Sequence, residues 1–112
     1  MLERMDTFCL HVRHLSEARR WYERILNAQT AYQEEDYCVL TIGGGAPLTL
    51  EEGEVKPGSS YPIFYTKDYE GMYMYLQEKE VKVGAKKEDE ARQYFDFYDL
   101  DGNKLQVCSY ES

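Results

Sequence analysis

His11 is one of two histidines in this 112-residue chain, and Glu51 or Asp96 could orient its ring for proton transfer. Cys9 and Cys108 add two thiols that could act as nucleophiles if their surroundings favoured the thiolate. Each has a plainer reading. A lone strand histidine commonly serves as a hydrogen-bonded wall residue, and a strand cysteine packs as a small hydrophobe. The three cysteines, Cys9, Cys38 and Cys108, are odd in number and far apart, with no CxxC pair. That argues against a disulfide framework or a zinc cluster, and for a reducing compartment. Asp101-Gly102-Asn103 reads as turn chemistry rather than a calcium loop, because the later ligand positions of such a loop are missing. Glu88-Asp89-Glu90 reads as a solvated loop, and His14 as a surface residue.

The elements that would position these groups follow from periodicity. Residues 7–13 alternate as a strand; Ser16 can cap a helix whose Ala18, Trp21, Tyr22 and Ile25 form an apolar stripe, and Asn27 suits its exit. Short strands are expected at 28–33, 37–42 and 47–51, the last two separated by a triple-glycine turn. Residues 53–60, rich in glycine, proline and serine, form the best linker. The order then repeats: a strand at 61–67, Asp68 as N-cap, a helix over 69–79 with Met72, Tyr75 and Leu76 on one face, and a short strand at 81–83. A charged loop at 84–91 precedes a hairpin of 94–98 and 104–109. Gly71 should cost the second helix about 1 kcal/mol against alanine. Each half thus reads strand, helix, strand, strand, strand. Tyr37 superimposes on Tyr94, and Gly45 on Gly102, as a repeat of pattern more than of letters.

Alternation separates two faces. One carries Phe8, Leu10, Leu40, Leu48, Leu50, Ile63, Phe95, Phe97, Leu105 and Val107, all apolar, as expected of a face packed under helices. The other carries Thr7, Cys9 and His11; Tyr37, Val39 and Thr41; Thr49 and Glu51; Pro62 and Phe64; Tyr94, Asp96 and Tyr98; Gln106, Cys108 and Tyr110. Aromatics, hydroxyls and two carboxylates suit a polar or cationic aromatic ligand. These tyrosines, four of the chain's eleven, could instead simply fill a small barrel.

The net charge of −8 sets nucleic-acid binding aside, since phosphates require the opposite sign. Residues 1–27 hold five basic and four acidic side chains, and residues 28–112 hold eight and seventeen. The longest uncharged stretch, 37–50, is too short and glycine-broken to span a bilayer. Residues 1–6 lack the apolar run of a signal peptide, so a cytoplasmic location is expected, without a membrane partner.

The segment Trp21-Tyr22-x-x-Ile25-Leu26-Asn27 resembles the F-Y-x-x-x-L-G signature of the glyoxalase/bleomycin-resistance, or vicinal oxygen chelate, superfamily. Residues 97–107, Phe-Tyr-Asp-Leu-Asp-Gly-Asn-Lys-Leu-Gln-Val, resemble its terminal hairpin F-x-D-P-D-G-N-x-[LI]-E-[LIV], with Leu100 in place of proline. The resemblance spans essentially the whole chain. It implies an α+β fold of two tandem βαβββ modules (1–52 and 61–112, within one domain of 1–112). They would form a curved mixed sheet of half-barrels with the helices on the outer face.

Metal enzymes of that family place four ligands on the first and last strands of the two modules. Carried over, these positions fall on Thr7, Thr49, Pro62 and Gln106, none of which is a good ligand for a divalent ion. The resemblance therefore implies a member with no catalytic metal and no cofactor, binding a small organic molecule as a homodimer, as the family's drug-sequestering branch does. The expected ligand-binding residues are His11, Tyr37, Glu51, Phe64, Tyr94, Asp96, Tyr98, Gln106, Cys108 and Tyr110. Two alternatives stand beside it. One is a lyase, isomerase or dioxygenase with an unconventional metal, for which a two-residue shift of register would offer His11 and Glu51. The other is a protein-interaction domain.

Overall fold

A computed structural model of the chain describes residues 1–56, 58 and 60–111, so the predicted linker at 53–60 lies partly outside the described residues. The chain divides into two compact units, residues 1–56 and 57–112. In the first, β1 (Phe8–Val12) leads into α1 (Leu15–Leu26), then β2 (Gln29–Gln33), β3 (Tyr37–Thr41) and β4 (Leu48–Glu52). The sheet runs β1-β4-β3-β2, parallel between β1 and β4 and antiparallel elsewhere. The second unit repeats this with β5 (Ile63–Tyr65), α2 (Tyr69–Glu78), β6 (Lys87–Glu88), β7 (Gln93–Tyr98) and β8 (Lys104–Ser109), ordered β5-β8-β7-β6. Both units are βαβββ modules with a four-stranded mixed sheet, as the pattern predicts.

In module one the predicted stripe of Ala18, Trp21, Tyr22 and Ile25 is buried, joined by Leu15. Leu10, Val12, Cys38, Leu40, Leu48 and Leu50 are buried with it on alternate strand positions, beneath a helix that packs on β3 and β4. Each such leucine contributes roughly 1.5–3 kcal/mol of burial. The helix begins one residue before the predicted cap. His14 occupies the N-cap position without a side-chain cap, and Ser16 lies inside the first turn. Glu52, at the end of β4, accepts the Leu15 N–H at 3.0 Å instead, so the strand that α1 covers also caps it. Asn27 closes the helix in the left-handed conformation as expected.

Module two buries Phe95, Phe97, Leu105 and Val107 on its sheet, with Tyr69 and Leu76 from α2. Tyr69 takes the buried place expected of Met72 and Tyr75. The Tyr69 and Tyr73 rings meet Phe95 edge-on at centroid separations of 5.6 and 4.9 Å. Their hydroxyls donate to the carbonyls of Tyr94 and Gly84, so the aromatic interior leaves neither polar end unsatisfied. Asp68 caps α2 by accepting the Gly71 N–H at 3.0 Å. A Cβ on Gly71 would collide with that carboxylate, which explains a glycine in the first turn.

Between α2 and β7 the strand placement differs from the sequence pattern. Residues 81–83 make only an isolated bridge, from Val83 to Phe97, and β6 forms at Lys87–Glu88 inside the predicted charged loop. The β7–β8 turn is built by Asp99, a residue 7% exposed. Its carboxylate accepts the N–H groups of Asp101 and Asn103 and the Asn103 side-chain amide. Gly102, at φ +85°, supplies the positive φ the turn needs. Among the described residues no helix is long and apolar enough to cross a membrane.

Candidate ligand site

The pairing registers arrange the helix-free face of each module in rows. In module one, His11 on β1 lies beside Glu51 on β4, which lies opposite Tyr37 on β3. Cys9, Thr49 and Val39 form the next row. His11 Nε2 and Glu51 Oε1 are 3.0 Å apart, with the two side chains 43% and 47% exposed. The imidazole ring packs over Gly53, where a Cβ would lie 3.2 Å from Cδ2. Three of the expected site residues, His11, Glu51 and Tyr37, are thus brought into a single row.

Cys9 is exposed, but partial desolvation, and then the Glu51 charge, push its thiol above the ordinary cysteine range. That is the opposite of an activated nucleophile. Nearby, the Tyr32 ring stands 6.0 Å from Tyr37, and its hydroxyl donates to the Glu34 carboxylate, which holds the Tyr32 phenol up at about 12.

Module two differs from expectation on β5. Phe64 pairs with Val107, whereas Ile63 pairs with Gln106 and Tyr65 with Cys108. Phe64 therefore shares the face packed under α2, and Ile63 and Tyr65, each 49% exposed, share the face of Gln106. The predicted parity of this strand is off by one residue, and Pro62, expected with Phe64, moves with it. Gln106 N–H donates to the Pro62 carbonyl at 3.0 Å, so proline enters the ladder as an acceptor just before β5 begins.

The rows of this face are then Tyr65, Cys108 and Tyr94; Ile63, Gln106 and Asp96; and Lys104 opposite Tyr98. Tyr110 lies just past β8, half exposed, with its ring 4.8 Å from that of Tyr65 and its carbonyl accepting the Tyr65 hydroxyl. Tyr65 and Tyr110 also line a cleft of about 980 Å³ with Tyr69, Arg92, Asp68 and Glu70.

Across the middle of the face runs a polar ladder. Arg92 Nη1 donates to Gln106 Oε1 at 2.8 Å, Gln106 Nε2 donates to Asp96 Oδ1 at 3.0 Å, and Lys104 Nζ stands 3.5 Å from Asp96 Oδ2. Gln106 is 2% exposed, and both ends of its amide are used. Arg92 stacks over Tyr94 at 4.5 Å and Lys104 over Tyr61 at 4.1 Å. Arg92, Lys104, Tyr61 and Tyr65 were absent from the expected site. Alternation extended two residues back from Tyr94 and from Gln106 would have found the two cations.

The family's metal positions can be tested on this geometry. Thr7 Oγ1 donates to the Pro47 carbonyl at 3.0 Å and lies 2.8 Å from Thr49 Oγ1. A hydroxyl carries one hydrogen, so the Thr49 hydroxyl donates to Thr7. By strand pairing, the position in module two equivalent to Thr7 is Tyr61 rather than Pro62, because Phe8 sits opposite Leu48 while Ile63 sits opposite Gln106. Two hydrogen-bonded hydroxyls, a phenol beneath an ammonium and a buried amide do not suit a divalent ion. His11 and Glu51 do come together, yet no group of three or more His, Cys, Asp or Glu among the described residues could hold a metal.

No curated protein sequence matches the chain. Solved structures do. A glyoxylase/bleomycin resistance protein/dioxygenase domain from Frankia sp. EAN1pec is 20% identical with a TM-score of 0.80, over 99% of this chain and 100% of that one. The fosfomycin resistance protein FosX from Mesorhizobium loti is 17% identical (TM-score 0.77, 99% and 95% covered). FosX from Listeria monocytogenes, in complex with Mn(II) and sulfate, is 15% identical (TM-score 0.83, 99% and 93% covered). At these identities the likeness speaks to the fold. The sequence model of the Glyoxalase/Bleomycin resistance protein/Dioxygenase superfamily matches residues 4–107, and the chain belongs to that superfamily.

Proposed function

We propose that this protein binds a small organic molecule, polar or cationic and aromatic, without a catalytic metal, and works as a homodimer. The row of His11, Glu51 and Tyr37 carries this reading. Directly opposed residues of an antiparallel pair hold their Cβ atoms about 5 Å apart. A cation over the Tyr37 ring therefore lies within reach of the Glu51 carboxylate. Tyr37 supplies ring area and quadrupole, Glu51 charge, and His11 a second polar contact that keeps the carboxylate oriented.

Asp96 is a weaker candidate for the cation, because Gln106 and Lys104 already engage its two oxygens. Glu51 is the carboxylate on which the cationic reading rests. Similar structures include fosfomycin resistance proteins, one of them holding Mn(II); the donor chemistry at Thr7, Thr49, Tyr61 and Gln106 supports a ligand held by side chains directly.

Thermal-shift and calorimetric titration with benzylammonium test the proposal. A rise in melting temperature that disappears in Glu51→Gln supports it. Benzylammonium binding that is untouched by Glu51→Gln and by Tyr37→Leu would place the ligand elsewhere and overturn the assignment.

A further inference from the structure

We infer that His11 and Glu51 form a proton switch: a proton taken up at His11 Nδ1 cancels the charge that Glu51 offers a cation. That role depends on the proposed cation site and adds its regulation. Register sets the two residues side by side on β1 and β4, and their side chains meet at 3.0 Å between Nε2 and Oε1. Gly53 forms the floor under the ring. Its N–H donates to the Val12 carbonyl at 2.9 Å, and a Cβ there would stand 3.2 Å from His11 Cδ2. The ring thus sits on backbone that is itself tied to β1.

An ionised carboxylate only accepts hydrogen bonds, so Nε2 must carry the hydrogen in this contact. Nδ1 is then the nitrogen that gains or loses a proton. Its protonation keeps the Nε2–H···Oε1 bond and strengthens it, while the pair passes from net negative to neutral. The groups around the pair are of other types. On β1, partial desolvation and then Glu51 push the Cys9 thiol up, so it stays uncharged near neutrality, and Arg13 follows past the strand end. On β4, Glu52 gives its carboxylate to the Leu15 N–H. On β3, Tyr37 presents a phenol to Glu51, and the Glu34 carboxylate accepts the Tyr32 hydroxyl. Glu35 and Asp36 complete the acidic rim beside Tyr37. Of these side-chain types, imidazole is the one that ordinarily changes charge between pH 5 and 8.

A cation at Glu51 and a proton at His11 therefore oppose one another. Affinity is full above the titration of the ring and falls as pH drops through it. Cancelling one charge at a half-exposed site weakens a bound cation about tenfold. Linkage requires the reverse: the bound cation weakens proton uptake by the same factor and expels a proton as it binds.

Two measurements on the whole chain test the switch. Nitrogen NMR of isotope-labelled histidine, with His14→Gln to separate the two rings, should find the hydrogen of neutral His11 on Nε2 and proton uptake at Nδ1 between pH 5 and 8. A neutral ring with its hydrogen on Nδ1, or no uptake in that range, overturns the switch without any ligand. Calorimetric titration with benzylammonium should weaken about tenfold from pH 8 to pH 5 in the unaltered chain and stay level in His11→Gln, whose amide can still donate to Glu51. An equal loss in His11→Gln would assign the proton to another group and refute the inference. Binding that ignores pH in the unaltered chain would refute the coupling and leave the cation site in place. No binding at either pH would remove the cation site, and the coupling with it.

Discussion

Gln106→Leu removes the centre of the module-two ladder while keeping side-chain volume. Two hydrogen bonds disappear, one from Arg92 at 2.8 Å and one to Asp96 at 3.0 Å, each with a charged partner. Bonds to charged groups contribute roughly 1.5–3 kcal/mol apiece. Three factors reduce the sum: Asp96 keeps Lys104, Arg92 keeps Tyr94, and the new side chain is apolar at a site only 2% exposed. The net expectation is a loss of about 2 kcal/mol. For a chain of this length that lowers the melting temperature by roughly 6–12 °C. Urea unfolding and scanning calorimetry near neutral pH measure it, with an unchanged urea slope showing that the folded state is intact. A change under about 0.5 kcal/mol, the range of ordinary surface substitutions, would refute the claim that the ladder is a built element.

Asp99→Ala should destabilise the fold by about 2–4 kcal/mol, since it strips three hydrogen bonds from a buried turn, and urea unfolding checks it. Cys9 should alkylate more slowly with iodoacetamide than a free thiol below its raised pKa, with the rate climbing as pH rises through that value. Glu51→Gln removes the charge that helps to raise it, so alkylation at a fixed mildly alkaline pH should accelerate; an unchanged rate would separate Glu51 from Cys9. Sedimentation at micromolar concentration should find a dimer, and a monomer throughout would remove the homodimer from the proposal.

Much of the fold was legible because most strands alternate cleanly. The buried and half-buried positions of β3, Tyr37 to Thr41, follow the predicted parity one by one, as do those of β7. The Asp101-Gly102-Asn103 turn and the Asn27 and Asp68 caps could be read because each depends on local backbone chemistry. What failed depends on partners distant in sequence. Glu52 caps α1 from another strand, so Ser16 looked like the cap. β5 has three residues, Ile63–Tyr65, too few for alternation to reveal which face is which, and so Phe64 was placed on the wrong side. β6 is a charged pair, Lys87–Glu88, set by its pairing with β7 rather than by any pattern of its own. In the candidate site, the aromatic and acidic members could be found by type. Arg92 and Lys104 were passed over because charged residues at strand ends resemble ordinary solvated surface.

Calorimetric titration of chelator-treated protein with Mn²⁺, Ni²⁺ and Zn²⁺ near neutral pH decides whether this fold works here without a metal. No saturable uptake of any of the three is expected, because Thr7, Thr49, Tyr61 and Gln106 offer no anionic or imidazole donor set. Tight binding of one ion per chain, abolished by changing His11 or Glu51, would contradict it and turn the His11–Glu51 pair into a metal centre.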